Sequence, residues 1–329
     1  MNTGVELQQK FFHTLKEYLP PHLSLAEDLS ELLQISHDSV YRRIRGEKPI
    51  SLAELKTICD HYGLSIDSLL QINSNSVLFF SNGTNQEQGG FDEYLKGILA
   101  QMRYFNSFSE RKMFYLCKDA PVFYFFLFPE IAAFKTFFWI KSVLNIPELA
   151  DQKFSFAKFP YRDCYAIGQD IIREYNKIPT VELWNYESFN STISQIKYYK
   201  EAGIFESDAD LQLTLESLQQ VFDLLQKQAQ AGHKTVTGGS SPTTTFDFYI
   251  NEIIIGSNTI LVELNQEKIS ILTYSVLRYL YTRDQALCND TFRSFQNLKN
   301  RSTLISGSGE KERNRYFNTL REKLNQLLK

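Results

Sequence analysis

The feature that most constrains the fold is a pair of short predicted helices, separated by two residues, within residues 24–63. The first helix follows Ser24, and Glu27 three positions later gives the spacing of a capping box. After the two-residue break, Ser36 can cap a second helix, which Gly46 can end. Two helices joined by so tight a turn predict a helix-turn-helix. A third predicted helix follows over residues 52–62.

The two helices have a predicted inner face and a predicted outer face. The inner, apolar positions recur at helical spacings and are Leu29, Leu33, Ile35, Val40 and Ile44. The outer face of the second helix carries donors, acceptors and cations that can read base edges in a major groove. The cap residue Ser36 and Lys48, which we expect to hold a phosphate, complete this surface. The predicted DNA-binding residues are therefore Ser36, His37, Asp38, Tyr41, Arg42, Arg45 and Lys48.

A longer run of residues carries a family resemblance. Its first part is Leu29, Ile35, Ser36, Val40, Arg42, Arg43, Ile44, Arg45, Gly46 and Pro49, and residues 52–70 continue it. This run resembles the lambda-repressor-like, or XRE, helix-turn-helix family, and most closely the BetR-type N-terminal domain. The resemblance covers residues 24–70 and implies a small all-α domain that usually binds DNA as a dimer. Gln34 stands where the family usually has Gly, and Arg43 where many members have an apolar residue. The sequence therefore leaves open which of Arg42 and Arg43 faces DNA.

Charge is distributed unevenly along the 329 residues. The formal net charge is −3, which excludes a generic polycation that coats nucleic acid. Residues 1–72 contain seven Lys/Arg and ten Asp/Glu, but residues 42–48 concentrate four cations with only Glu47 opposing them. Residues 293–329 are basic, with nine Lys/Arg and three Asp/Glu.

Two polar, Gly- and Ser-containing stretches predict the domain organisation. We expect a DNA-binding domain over 1–72, a linker over 73–90, a helical effector or dimerisation region over 91–228, a linker or loop over 229–245, and a C-terminal region over 246–329. The expected fold is mainly α: a lambda-repressor-like N-terminal domain, a helical middle region, and an α+β C-terminal region with a small antiparallel hairpin or sheet. The dense Phe and Tyr residues of the middle region indicate an aromatic core, with a hydrophobic effector pocket or dimer interface as the alternative.

The C-terminal region begins with strand patterns. Residues 246–255 and 259–264 are rich in β-branched and aromatic residues, and Gly256-Ser257-Asn258 between them predicts a hairpin. Residues 268–273 predict a third strand, and the pattern after residue 274 becomes helical.

A Gly/Ser loop before the last helix is a second candidate site. Its free N–H groups and nearby cations could bind an anionic effector or DNA phosphates; the candidate residues are Ser306, Gly307, Ser308, Lys311 and Arg313. The alternative is a capped helix with a solvated basic face. The loop lacks the Gly-Lys-Ser/Thr ending of a Walker A motif.

Catalytic and metal-binding motifs are missing from the sequence. The four Cys have no zinc or CxxC spacing, and the five His form no recognised catalytic or metal motif. We therefore expect no enzyme, no cofactor and no metal. Residues 1–10 lack a signal-peptide pattern, and charges interrupt the most apolar stretch, so we expect a cytoplasmic protein without a membrane span.

Together these features predict a DNA-binding transcriptional regulator that acts on double-stranded DNA as a homodimer, with a C-terminal region that senses a small-molecule or protein effector. Two alternatives stay open at this point: a protein-interaction, antitoxin-like module, and a nucleotide- or anion-binding sensor in the C-terminal region.

Overall fold

The structure is a computed structural model and describes residues 4–17, 19, 24–66, 77–81, 90–235, 244–253 and 255–328. The chain divides into two compact units: residues 1–79 with 282–284, and residues 80–281 with 285–329. Much of both expected linkers, 73–90 and 229–245, lies outside the described residues. The linker boundaries therefore stay predictions.

The described part of the N-terminal unit is helical. Its helices are α1 (Gly4–Glu17), α2 (Leu25–Leu33), α3 (His37–Ile44) and α4 (Leu52–Tyr62). One apolar cluster joins them, and its most buried members are Phe11, Phe12, Leu15, Leu29, Val40 and Ile58. The predicted helical N-terminal region is confirmed, since α2, α3 and α4 lie where capping and periodicity placed them.

The caps follow the sequence pattern with one difference. Gln34 ends α2 in the left-handed region, with φ 51°, so a non-Gly residue makes this turn. Ser36 Oγ accepts the Ser39 N–H at 3.3 Å and caps α3. At α2 only one half of the predicted capping box forms. Ser24 Oγ accepts the N–H of Glu27, but the reciprocal hydrogen bond from the Ser24 N–H to the Glu27 side chain is not among those of the described residues. The box closed in both directions belongs to Ser51 at the start of α4.

The second unit contains a mixed sheet. Its strands within the described residues are β1 (Phe80–Ser81), β2 (Arg111–Cys117), β3 (Thr180–Asn185), β4 (Phe246–Asn251), β5 (Thr259–Leu264), β6 (Glu267–Ser275), β7 (Arg278–Thr282) and β8 (Thr303–Leu304). They pair in the order β1-β7-β6-β5-β2-β3-β4-β8. β2, β3 and β4 are parallel to one another. The pairings of β1 with β7, β2 with β5, β4 with β8 and β5 with β6 are antiparallel.

Helices connect and cover these strands. They are α5 (Phe91–Asn106), α6 (Pro129–Phe138), α7 (Arg162–Tyr175), α8 (Asn190–Glu201), α9 (Asp208–Ala231), α10 (Gln285–Lys299) and α11 (Glu310–Asn325). Short 3₁₀ segments cover Val122–Phe126, Pro147–Leu149 and Gln326–Leu328, and a π-helical segment covers Trp139–Val143. Alternate residues of β2 enter two clusters: Met113 and Tyr115 join the larger one, and Phe114 joins the one that includes Phe295 of α10.

The expected small antiparallel hairpin is wrong, and the middle region is not purely helical. β4 ends at Asn251 and pairs with β3 and β8, whereas β5 pairs with β2 and β6. β2 and β3 come from the region expected to be helical, and β7 lies where the pattern was expected to become helical. All six residues of β3 are buried, so it lacks the alternation that distinguishes a half-exposed strand from a helix segment.

Candidate nucleic-acid interface

The polar face of α3 is open to solvent. Side chains three or four positions apart lie on the same side of a helix. On α3 and at its end this applies to two sets, residues 37, 41 and 45 and residues 38, 42 and 45. Tyr41 is 48% exposed and supplies a large ring on this face. All seven predicted DNA-binding residues are exposed: Ser36, His37, Asp38, Tyr41, Arg42, Arg45 and Lys48.

Two adjacent arginines of α3 have different environments. The Arg42 side chain is 50% exposed, whereas the Arg43 side chain is 5% exposed. Arg43 Nη2 donates to Glu54 Oε1 at 2.5 Å, and Nη1 donates to the Ser39 carbonyl at 3.0 Å. Burial tends to raise the pKa of Glu54, but hydrogen bonds from Arg43 and Ser51 lower it below its ordinary value. Arg42 therefore faces solvent and Arg43 is buried within the N-terminal unit, while the contact of Arg42 with DNA stays a prediction.

Glu47 holds one of the exposed arginines. Arg45 Nε and Nη2 donate to the two oxygens of Glu47 at 2.6 and 3.1 Å. Arg42 Nε lies 3.8 Å from the same carboxylate. The hydrogen bond from Arg45 lowers the pKa of Glu47, so the carboxylate stays ionised at neutral pH. A DNA phosphate would compete with Glu47 for both guanidinium groups.

Two glutamines of α1 position the segment that follows α3. Gln8 Nε2 donates to the carbonyls of Arg43 and Lys48, at 2.6 and 2.8 Å. Gln8 Oε1 accepts the N–H of Ile50 at 2.9 Å, and Gln9 Nε2 donates to the Arg45 carbonyl at 2.8 Å. Neither glutamine could be predicted as a site residue, because an amide on an exposed helix carries no sequence signal for a partner some forty positions away.

Gly46 is required where α3 meets α1. It has φ +76°, and a Cβ on it would lie 2.6 Å from Val5 Cγ1. Glycine therefore permits both the left-handed turn and the close approach of α1. The end of α3 and Lys48 are held in place by this turn and by Gln8.

The second candidate site, the Gly/Ser loop, separates into buried and exposed residues. Arg313 is 4% exposed, and its Nη1 donates to the carbonyls of Ile305 and Gly307 at 2.8 and 2.9 Å. Buried Ser306 accepts the N–H of Phe248 at 3.2 Å. Lys311, Gly307 and Ser308 are exposed. The Arg313 guanidinium thus binds the loop itself, and an anion at this loop stays a prediction.

The described part of the chain contains neither a metal-binding group nor a membrane-spanning helix. In that part of the chain, no three His, Cys, Asp or Glu side chains form a group that could hold a metal ion. No described helix has both the length and the apolar character needed to span a membrane.

The fold and surface of the N-terminal unit define a helix-turn-helix module of the DNA-binding class. The family model of the BetR domain matches residues 15–83, and this helix-turn-helix family is the one that the segment resembles. The N-terminal part of the chain therefore carries a BetR domain, which indicates a DNA-binding regulator. Comparisons with curated proteins and with solved structures gave no match.

Proposed function

We propose that the chain is a sequence-specific transcriptional regulator that reads double-stranded DNA with α3. The observation that carries this proposal is the exposed face of α3 and its end, which presents two polar side chains, Tyr41 and two arginines next to exposed Lys48: His37, Asp38, Tyr41, Arg42, Arg45 and Lys48. Arg42 and Arg45 contact bases or phosphates, and Lys48 contacts a phosphate. The chain acts by binding rather than catalysis, in the cytoplasm where it meets DNA.

The proposed regulator binds as a homodimer, and its second unit senses an effector. One helix-turn-helix covers few base pairs, so two copies on a palindrome raise both affinity and specificity. Their recognition helices would lie about 34–36 Å apart, one turn of DNA. An effector that binds one dimer conformation more tightly than another would change operator affinity.

Selection from a pool of randomised duplexes tests this proposal. The full chain is mixed with the pool at about 150 mM salt, and the bound DNA is sequenced over several rounds. We expect enrichment of a palindrome with half-sites about 10 base pairs apart, centre to centre. Enrichment of no sequence, with only weak and strongly salt-dependent binding, would refute sequence-specific recognition and favour the protein-interaction alternative.

Single substitutions assign roles on the selected site. Arg42→Ala should weaken binding by about 1–3 kcal/mol and relax the preference at one base pair, if Arg42 reads a base. Lys48→Ala should weaken all duplexes alike and reduce the salt slope by about one. Lys56→Ala is the matched control, because Lys56 is 75% exposed but lies on α4. Intact binding after both Arg42→Ala and Arg45→Ala would show that α3 is not the recognition helix.

A further inference from the structure

A cavity of about 460 Å³ lies in the second unit, beyond the carboxyl end of β2. Lys118 and Asp119 line it and directly follow β2. The loop of Gly256, Ser257 and Asn258, expected to be a hairpin turn, lines another side. This volume is in the range of small-molecule sites, and the carboxyl ends of parallel strands are where open α/β sheets bind ligands.

The inner wall of the cavity is aromatic. Tyr94, Tyr115, Phe125 and Trp139 line it, and each has most or all of its surface withdrawn from solvent. Aromatic faces supply large apolar area and favour stacking with flat groups. This part of the cavity therefore suits a flat apolar ring.

One buried cation lies against these rings. Lys135 of α6 is only 3% exposed. Its Nζ lies 4.4 Å from the centre of the Phe125 ring and 4.7 Å from the centre of the Trp139 ring. Nζ donates to Thr192 Oγ1 at 3.2 Å and to Gln195 Oε1 at 2.6 Å. An ammonium has three N–H donors, so two hydrogen bonds leave one for a ligand.

A helix N-terminus points the same way. Ser191 and Thr192 line the cavity and lie in the first turn of α8. The N–H groups of a first turn have no partner within their own helix, and the helix dipole makes this end positive. The ammonium of Lys135 and the start of α8 thus place two sources of positive potential on one wall. Asp119 opposes them from the end of β2.

We propose that this cavity binds a small organic anion, with a carboxylate on Lys135 and the first turn of α8, and a flat ring against Phe125 and Trp139. The binding step stands on the cavity alone. The role of this anion as the effector of the regulator rests on the proposed function.

Calorimetric titration of the full chain at about pH 6, below the lowered pKa of Lys135, tests the site, with phenylacetate as the probe and phenylacetamide as its uncharged isostere. We expect saturable binding of phenylacetate, at least about tenfold tighter than that of phenylacetamide, because a hydrogen bond to a charged group is stronger than one to a neutral group. Quenching of Trp139 fluorescence should accompany binding and be lost in Trp139→Phe. An absence of saturable phenylacetate binding, or equal affinities for the two probes, would overturn the proposal.

Lys135→Met removes the ammonium and keeps an apolar side chain of similar length. We expect the preference for phenylacetate to disappear while phenylacetamide still binds, which also shows that the cavity is intact. Lys197→Met is the matched control, since Lys197 lies on the same helix as Thr192 but is 59% exposed. A preference that survives in Lys135→Met would overturn the assignment of Lys135.

The same samples separate this proposal from the proposed function. A change in operator affinity at saturating phenylacetate, absent in Lys135→Met, would support the effector role. Selective phenylacetate binding with unchanged operator affinity would support the site and overturn its regulatory role. Failure of the duplex selection would overturn DNA reading, while the titration would still decide the cavity.

Discussion

Arg43→Met separates the buried arginine of α3 from the two exposed arginines, Arg42 and Arg45. The substitution removes the hydrogen bonds from Arg43 to Glu54 and to the Ser39 carbonyl, while leaving the exposed face of α3 unchanged. We expect the N-terminal unit to lose stability. On the selected operator, base preferences should stay the same among the molecules that remain folded.

The expected loss is about 3 kcal/mol. A hydrogen bond between charged partners contributes about 1.5–3 kcal/mol and one to a neutral carbonyl about 1 kcal/mol. Two features keep the loss near the lower end of the 3–5 kcal/mol for breaking a buried ion pair. The Glu54 side chain is 21% exposed, and it still accepts the Ser51 N–H at 2.8 Å.

Native-state hydrogen exchange of the amides in α2, α3 and α4 measures this loss within the full chain. Glu54→Gln and the double variant complete a double-mutant cycle. We expect the sum of the two single losses of stability to exceed the loss in the double variant by at least about 1 kcal/mol. Arg42→Ala is the control, since exposed substitutions usually change stability by less than about 0.5 kcal/mol. Unchanged protection in Arg43→Met, together with an altered base preference, would refute the structural role of Arg43.

Three further predictions concern Gln8 of α1, Glu47 after α3 and Lys135 of the second unit. Gln8→Ala should lower the hydrogen-exchange protection of the segment after α3 by about 1–3 kcal/mol, since three hydrogen bonds are lost. Gln9→Ala loses one exposed hydrogen bond and should lower this protection less, so equal effects of the two substitutions would contradict the prediction. Glu47→Gln should tighten binding to unrelated duplexes several-fold, because it removes the carboxylate that holds Arg45 and so releases this arginine for phosphates. Fluorescence polarisation should show the largest gain at low salt, and weaker binding would mean that Glu47 positions Arg45 instead. Burial lowers the pKa of Lys135 to about 7, whereas the ordinary pKa of 10.5 applies in the unfolded chain. Between these two pH values the unfolded chain binds one more proton than the folded chain, so the free energy of unfolding should rise with pH. Urea unfolding should lack this rise in Lys135→Met, and parallel pH profiles of the two proteins would argue against a lowered pKa of Lys135.

The sequence alone determined the helix-turn-helix, because its signals act over a few residues. Ser24 and Ser36 cap helices through N–H groups three positions away, and Gly46 makes a turn within its own backbone. The polar outer face of α3 could be derived from helical periodicity in the same way. The exposed polar positions of α3 were therefore predictable, apart from the choice between Arg42 and Arg43.

Only the tertiary structure decided what depends on distant partners. Adjacent residues of a helix point about 100° apart, so the choice between Arg42 and Arg43 depended on where Glu54 of α4 lies. β3 is buried on both faces between β2 and β4, so its sequence carries no period that would reveal a strand or its neighbours. The cavity around Lys135 joins segments far apart in the chain, and local sequence patterns cannot specify contacts over such separations.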